Sequence, residues 1–157
     1  MNVTIRKGTQ TDVASVLSLI KQLAIYEKAP NEVTLTENEL MQDAFGENPI
    51  CYFFVAEMGA EIIGIALYYI KYSTWKGKCV FLEDIIVDEK YRMHGIGKKL
   101  FTEVAKVAAK MGVKRMEWQV LDWNTSAIEF YKKLNSKFDG EWINCKLTDI
   151  ELKSYNL

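Results

Sequence analysis

Residues 87–101 limit the folds open to this chain more than any other stretch. An apolar run over residues 80–87 ends in a polar connection, Asp88-Glu89-Lys90-Tyr91, followed by Arg92-Met93-His94-Gly95-Ile96-Gly97. Ile96, Leu100, Phe101, Val104, Ala108 and Met111 then recur at helical spacing, so the glycines open an amphipathic helix that Gly112 is placed to end. Glycines two apart at a helix start let the backbone approach a bound group closely. The unpaired N–H groups of the first turn and the helix dipole favour an anion there, which makes the segment a diphosphate cradle to which Lys98 or Arg92 adds charge. A P-loop would continue Gly-Lys-Ser/Thr, whereas Gly97 is followed by Lys98-Lys99. A Rossmann fingerprint has a third glycine and follows the first strand of a βαβ unit. Here the preceding strand closes an antiparallel meander.

That meander is read from residues 51–57 and 61–71, joined at Met58-Gly59-Ala60, and residues 78–87, opened by Gly77. Ahead of it, residues 3–6 form a short strand and Thr9-Gln10-Thr11-Asp12 offers N-cap chemistry. Val13, Val16, Leu17, Ile20, Leu23 and Ala24 set a helix that runs to Tyr26. Ala29-Pro30-Asn31 breaks the chain before a second helix over residues 37–45. After the glycine-opened helix come a strand over 113–121 and a helix capped by Asn124-Thr125-Ser126, with Asn135 in the left-handed position after it. Short strands at 137–138 and 142–147 and a helical turn beyond Thr148 complete the chain. The order β, α, α, β, β, β, α, β, α, β predicts an α+β (mixed α/β) fold, a central twisted and largely antiparallel sheet flanked by helices, as a single domain over residues 1–157.

Lys and Arg number 20 against 21 Asp and Glu, a net charge of -1, and no basic run is present. Nucleic acid is therefore not an expected partner. The longest apolar stretch, residues 62–70, has strand length and falls short of the roughly 18 residues of a spanning helix. With no leader pattern before the first strand, the expectation is a cytoplasmic protein without a membrane partner. Cys51, Cys79 and Cys145 are widely spaced and His94 is the one histidine. No disulfide framework and no metal are expected.

Arg92-x-x-Gly95-x-Gly97, with Leu82-Glu83-Asp84-Ile85-Ile86-Val87 before it, resembles the acetyl-CoA pyrophosphate signature of the GNAT superfamily and its accompanying strand. Asn124-x-x-Ala127-x-x-Phe130-Tyr131-Lys132-Lys133 resembles the second half of that fold. The likeness extends to the spermidine/spermine (diamine) and thialysine N-acetyltransferase branch through Leu19-Ile20-Lys21-Gln22-Leu23-Ala24-x-Tyr26-Glu27, Phe45-Gly46-Glu47-x-Pro49, Tyr68-Tyr69 with Trp75-x-Gly77-Lys78, Leu82-Glu83-Asp84 and Asp122-Trp123-Asn124.

The resemblance implies a GNAT fold, acetyl-CoA as co-substrate, a small cationic amine (polyamine, diamine or thialysine-like amino acid) as acceptor, and a homodimer. It places Ile85, Ile86 and Val87 along the pantetheine arm and Arg92, Met93, His94, Gly95, Ile96, Gly97 and Lys98 around the diphosphate. Asn124, Ser126 and Tyr131 complete the coenzyme contacts. Such an acceptor, with an amine pKa of ~10.4, is protonated at neutral pH and needs a base, while the departing thiolate needs an acid. Glu83 is the candidate base, since an unpaired carboxylate in an apolar run is costly. Strand alternation turns Asp84 to the opposite face unless a bulge intervenes. Tyr131 is the candidate acid by resemblance. Tyr26, Glu27, Trp75, Glu83, Asp84, Glu117, Trp118 and Gln119 are the positions implied for the acceptor, carboxylates and aromatics being suited to a cation. Two other readings stand beside this one: a GNAT enzyme acting on protein or peptide amines, and a non-catalytic acetyl-CoA-binding module.

Overall fold

The computed structural model describes residues 2–155. Five strands, β1 (Thr4–Lys7), β2 (Tyr52–Met58), β3 (Glu61–Ser73), β4 (Gly77–Val87) and β5 (Met116–Glu117), form one sheet in that order. The first four are antiparallel and β5 joins β4 in parallel. The helices are α1 (Val13–Tyr26), α2 (Glu37–Phe45), α3 (Ile96–Lys110), α4 (Thr125–Lys132) and α5 (Asp149–Lys153). The chain divides into two compact units, residues 1–119 and 120–157. The first holds the sheet and α1–α3; the second holds α4 and α5.

In the first unit the sheet alternation serves two cores. Phe53, Val55, Ile65, Leu67 and Ile86 pack with Val13, Val16 and Leu17 of α1 and Leu40 of α2. Phe54, Ala56, Ala66, Tyr68, Val80 and Leu82 pack with Ile96, Leu100 and Val104 of α3 on the opposite face. Each of the Val, Leu, Ile and Phe side chains among them, fully buried, is worth about 1.5–3 kcal/mol. Gly64 of β3 leaves no room for a side chain between β4 and α3: a Cβ there would lie 2.9 Å from the Ile86 carbonyl oxygen and 3.2 Å from Leu100.

One buried acid clasps the entry to α1. Arg6 donates two hydrogen bonds to the Asp12 carboxylate, at 2.7 and 2.9 Å, and two to Glu57, at 3.0 and 3.1 Å. The Thr9 N–H and hydroxyl also donate to Asp12, each at 2.8 Å. The guanidinium, assisted by Thr9, holds the Asp12 carboxyl down at about 2. Asp12 therefore stays ionised, and β1, β2 and α1 stay joined, across the pH range in which ordinary carboxylates titrate.

Two expectations are corrected. The strand over 113–121 shrinks to Met116–Glu117, paired with Val80 and Phe81. The reason lies in β4: Tyr68 pairs with Leu82 and Leu67 with Asp84, so Glu83 is an extra residue in that strand. A bulge bends its strand, and the parallel ladder ends just before it. No strand forms at 137–138 or 142–147 in the second unit. There Asp139 accepts from the Glu141 N–H at 3.2 Å and from the Trp142 indole N–H at 3.0 Å. These local bonds compete with a ladder. Asn135 does take the left-handed conformation, at φ 58°.

Candidate active site

The bulge decides what β4 presents. Before it Val80 and Leu82 face α3, and after it Ile85 and Val87 do. Asp84, paired with Leu67, joins Ile86 on the α1 side. The sequence expectation that Asp84 points away from the site unless a bulge intervenes is thus resolved by the bulge. Asp84 lines a pocket of about 170 Å³ with Ile20, Leu23, Ala24, Glu27 and Val33 among its walls. That volume suits the end of an alkylamine and is far below what a nucleotide-bearing ligand fills. A larger groove, about 440 Å³, follows α2, away from β4. Its Glu39 is engaged with the Thr36 N–H and hydroxyl in a helix cap.

Desolvation, reinforced by the charges of Glu83 and Glu27, pushes the Asp84 carboxyl up to about 6. Burial also raises Glu27. An acid raised this way costs stability while it is ionised, above about pH 6, and the cost disappears as pH falls through 6 toward 4. Asp84→Asn is therefore expected to stabilise the protein at pH 7.5 by about 2 kcal/mol, a Tm gain of about 4–8 °C. The gain should be roughly halved at pH 5 and fade by about pH 4, so the comparison is made at pH 7.5 and pH 4. Thermal melts at the two pH values test this; an unchanged Tm at pH 7.5 would mean that the carboxylate keeps its water.

Glu83 is exposed and has no cross-strand partner. Its charge raises the proton affinities of both Asp84 and Tyr69. Tyr26 ends α1 with its ring beneath the Arg92 guanidinium, 5.1 Å from ring centre to Cζ. Arg92 Nε also donates to the Val87 carbonyl at 3.0 Å. Trp75 stands exposed at the β3–β4 turn. Glu117 is engaged by Lys71 and Arg115, each at 3.4 Å. Trp118, expected at the acceptor, packs edge to face on Phe101 of α3, because alternation turns it to the face opposite Asp84. Gln119 is the last residue of the first unit. Tyr69, of the Tyr68-Tyr69 pair in the family likeness, shares the Asp84 face with Lys71 and Phe81; the latter two were not singled out from the sequence, and the period of β3 and β4, read with the bulge, would have found them.

Beyond β5, no strand among the described residues covers the edge of β4 at residues 82–87. The chain then turns through Met93 at φ 66° and Gly95 at φ 75° into α3. A Cβ on Gly95 would meet nothing within 4 Å, so its surroundings are open and the glycine is required by its conformation. His94 Nδ1 lies 2.7 Å from the Arg92 carbonyl, which steadies the loop. Ile96 is buried and anchors the helix start, with Gly97 and Lys98 in its first turn. The open edge and the paired left-handed turns fit an elongated ligand that ends in phosphates, and acetyl-CoA has this form. Among the described residues no group of His, Cys, Asp and Glu is arranged to hold a metal.

In the second unit Asn124 caps α4, its side-chain oxygen accepting from the Ala127 N–H at 3.2 Å. Ser126 lies in the first turn. Tyr131 is buried, its ring 5.1 Å from that of Phe130.

The profile of the acetyltransferase (GNAT) family matches residues 20–135. A thialysine N-epsilon-acetyltransferase of Bos taurus is 41% identical over 86% of this chain and 84% of its own. An L-ornithine N5-acetyltransferase of Arabidopsis thaliana is 30% identical over 96% of this chain and 86% of its own. Among solved structures, an aminoglycoside N-acetyltransferase in complex with CoA superposes with a TM-score of 0.75 at 21% identity, covering 93% of this chain and 95% of that one. No helix among the described residues is long and apolar enough to cross a membrane.

Proposed function

The chain belongs to the acetyltransferase (GNAT) family and is an N-acetyltransferase, and we propose that it moves the acetyl group of acetyl-CoA directly to a primary amine of a small cationic acceptor. The observation that carries this reading is the acidic pocket of Asp84 and Glu27, opening beside the bulged Glu83. Carboxylates in a small, partly apolar pocket select an ammonium group. The relatives named for thialysine and ornithine agree with an acceptor of this size.

The roles follow. Ile85, Ile86 and Val87 offer backbone groups to the pantetheine arm, as a sheet edge does to an added strand. N–H groups from Met93 to Lys98 hold the diphosphate, with Arg92 beside them; Asn124 and Ser126 take the coenzyme contacts that the family likeness implies for them. Tyr26, Glu27, Asp84 and Glu117 receive the acceptor, and Trp75 stands at its rim. Glu83 removes the proton of the ammonium, and Tyr131 returns one to the departing sulfur. No metal is required. Residues 1–157 serve as a single acetyltransferase domain, and the protein works as a cytoplasmic homodimer without nucleic acid or membrane. Three unbridged cysteines suit a reducing compartment.

A thiol-release assay with acetyl-CoA and spermidine, spermine, L-thialysine, L-lysine, L-ornithine and a lysine peptide tests the reading. Turnover of a free amine is expected. Turnover of the peptide alone would move the acceptor to protein amines, and silence with acetyl-CoA still bound would leave a binding module.

A further inference from the structure

We infer that Lys71, with Arg115 and Glu117, forms the distal end of the acceptor site and reads the zwitterionic head of an α-amino acid, so that the preferred acceptor is an amino acid with a side-chain amine and not a polyamine. The inference rests on the acceptor reading above. Its ground is a continuous strip on the face of the sheet that carries Asp84.

Leu67, Tyr69 and Lys71 follow one another on that face of β3. Opposite them on β4 stand Asp84 and Phe81, and Glu117 of β5 pairs with Phe81. The contacts bear out this placement. Tyr69 and Phe81 pack with ring centres 5.2 Å apart, and the Lys71 ammonium sits 5.3 Å from the centre of the Phe81 ring. Tyr69 feels the charges of both Glu83 and Glu117. The strip therefore runs from a cluster of carboxylates, over two aromatic rings, to a cluster of opposite balance.

At that far end two cations share one carboxylate, so the cluster carries a net positive charge. Glu117 lies 3.4 Å from Lys71 and 3.4 Å from Arg115. The Arg115 Nε and the facing Glu117 oxygen are buried and make no hydrogen bond. The Lys71 side chain is 41% exposed, so the ion-paired residue lies where a ligand on this face can reach it. A carboxylate is attracted to such a cluster, and Glu117 remains for an α-ammonium group. The second ammonium of a polyamine would meet two cations instead.

The lengths agree. Lys71 is four residues along β3 from the partner of Asp84, about 13 Å of strand rise. A lysine-like side chain spans about 7 Å from amine to carboxyl carbon, and a hydrogen bond of about 3 Å at each end closes the distance.

The test compares matched acceptors: L-thialysine against bis(2-aminoethyl) sulfide, and L-ornithine against 1,4-diaminobutane, each diamine lacking only the carboxylate. The wild-type enzyme is expected to favour the amino acid of each pair. In Lys71→Met the ratio of kcat/KM for amino acid over diamine should fall on the order of 10- to 100-fold, and Lys71→Glu should lower it further. The diamine reports that each variant is folded and active. Equal losses on both members of a pair, or a wild-type preference for the diamines, would overturn the inference alone. Failure of the wild-type enzyme to acetylate any of the four would overturn it together with the small-amine reading.

Discussion

Tyr131→Phe is expected to lower kcat by about 10²- to 10⁴-fold, the range that a general acid supplies. The substitution removes one oxygen. Tyr131 is buried, and its ring packs on Phe130 in a geometry that phenylalanine keeps. Acetyl-CoA affinity should therefore change little, which separates a lost proton donor from a lost binding contact. Steady-state kinetics at saturating acceptor, with coenzyme binding measured by calorimetry, decide it. Unchanged kcat would take the acid role from Tyr131.

Glu83→Gln should reduce kcat/KM at pH 7.5 by on the order of 10²-fold, and the direction in which the pH profile moves identifies the base. If Glu83 removes the proton, the variant depends on acceptor that is already neutral. Its rising limb must then climb toward the amine pKa of ~10. If Asp84 is the base, removing the Glu83 charge lowers the Asp84 proton affinity, because that charge helps to hold it near 6. The rising limb would then shift to lower pH with most of the rate kept. An upward shift is the expected result.

The sequence made much of the fold legible because its signals were local. The apolar periods of α1 and α3, the break at Ala29-Pro30-Asn31 ahead of α2 and the glycine turns each name an element without reference to the rest of the chain. The loop proposed to hold acetyl-CoA was readable for the same reason: Gly95 and Gly97 mark backbone geometry. What escaped was set by pairing. β5 could not be sized from its own residues, because its length depends on where β4 bends. The face of Asp84 depended on a bulge that no residue type announces. Lys71 looked like an ordinary exposed strand residue until the register set it beside Phe81 and Glu117.

The extra residue in β4 separates chemistry from architecture. Glu83 belongs to no cross-strand pair and to neither apolar core. Its neighbours Leu82 and Asp84 pair with Tyr68 and Leu67, so the ladder is carried by the residues on either side of position 83. In an ordinary strand position, exchanging a side chain alters a packed neighbour. Here the sheet has one place where selection can try a different functional group without disturbing the scaffold. Enzymes of the same architecture could thus diverge in reaction at this position while keeping their fold, and residue 83 is the natural first site to randomise when a new acceptor chemistry is wanted.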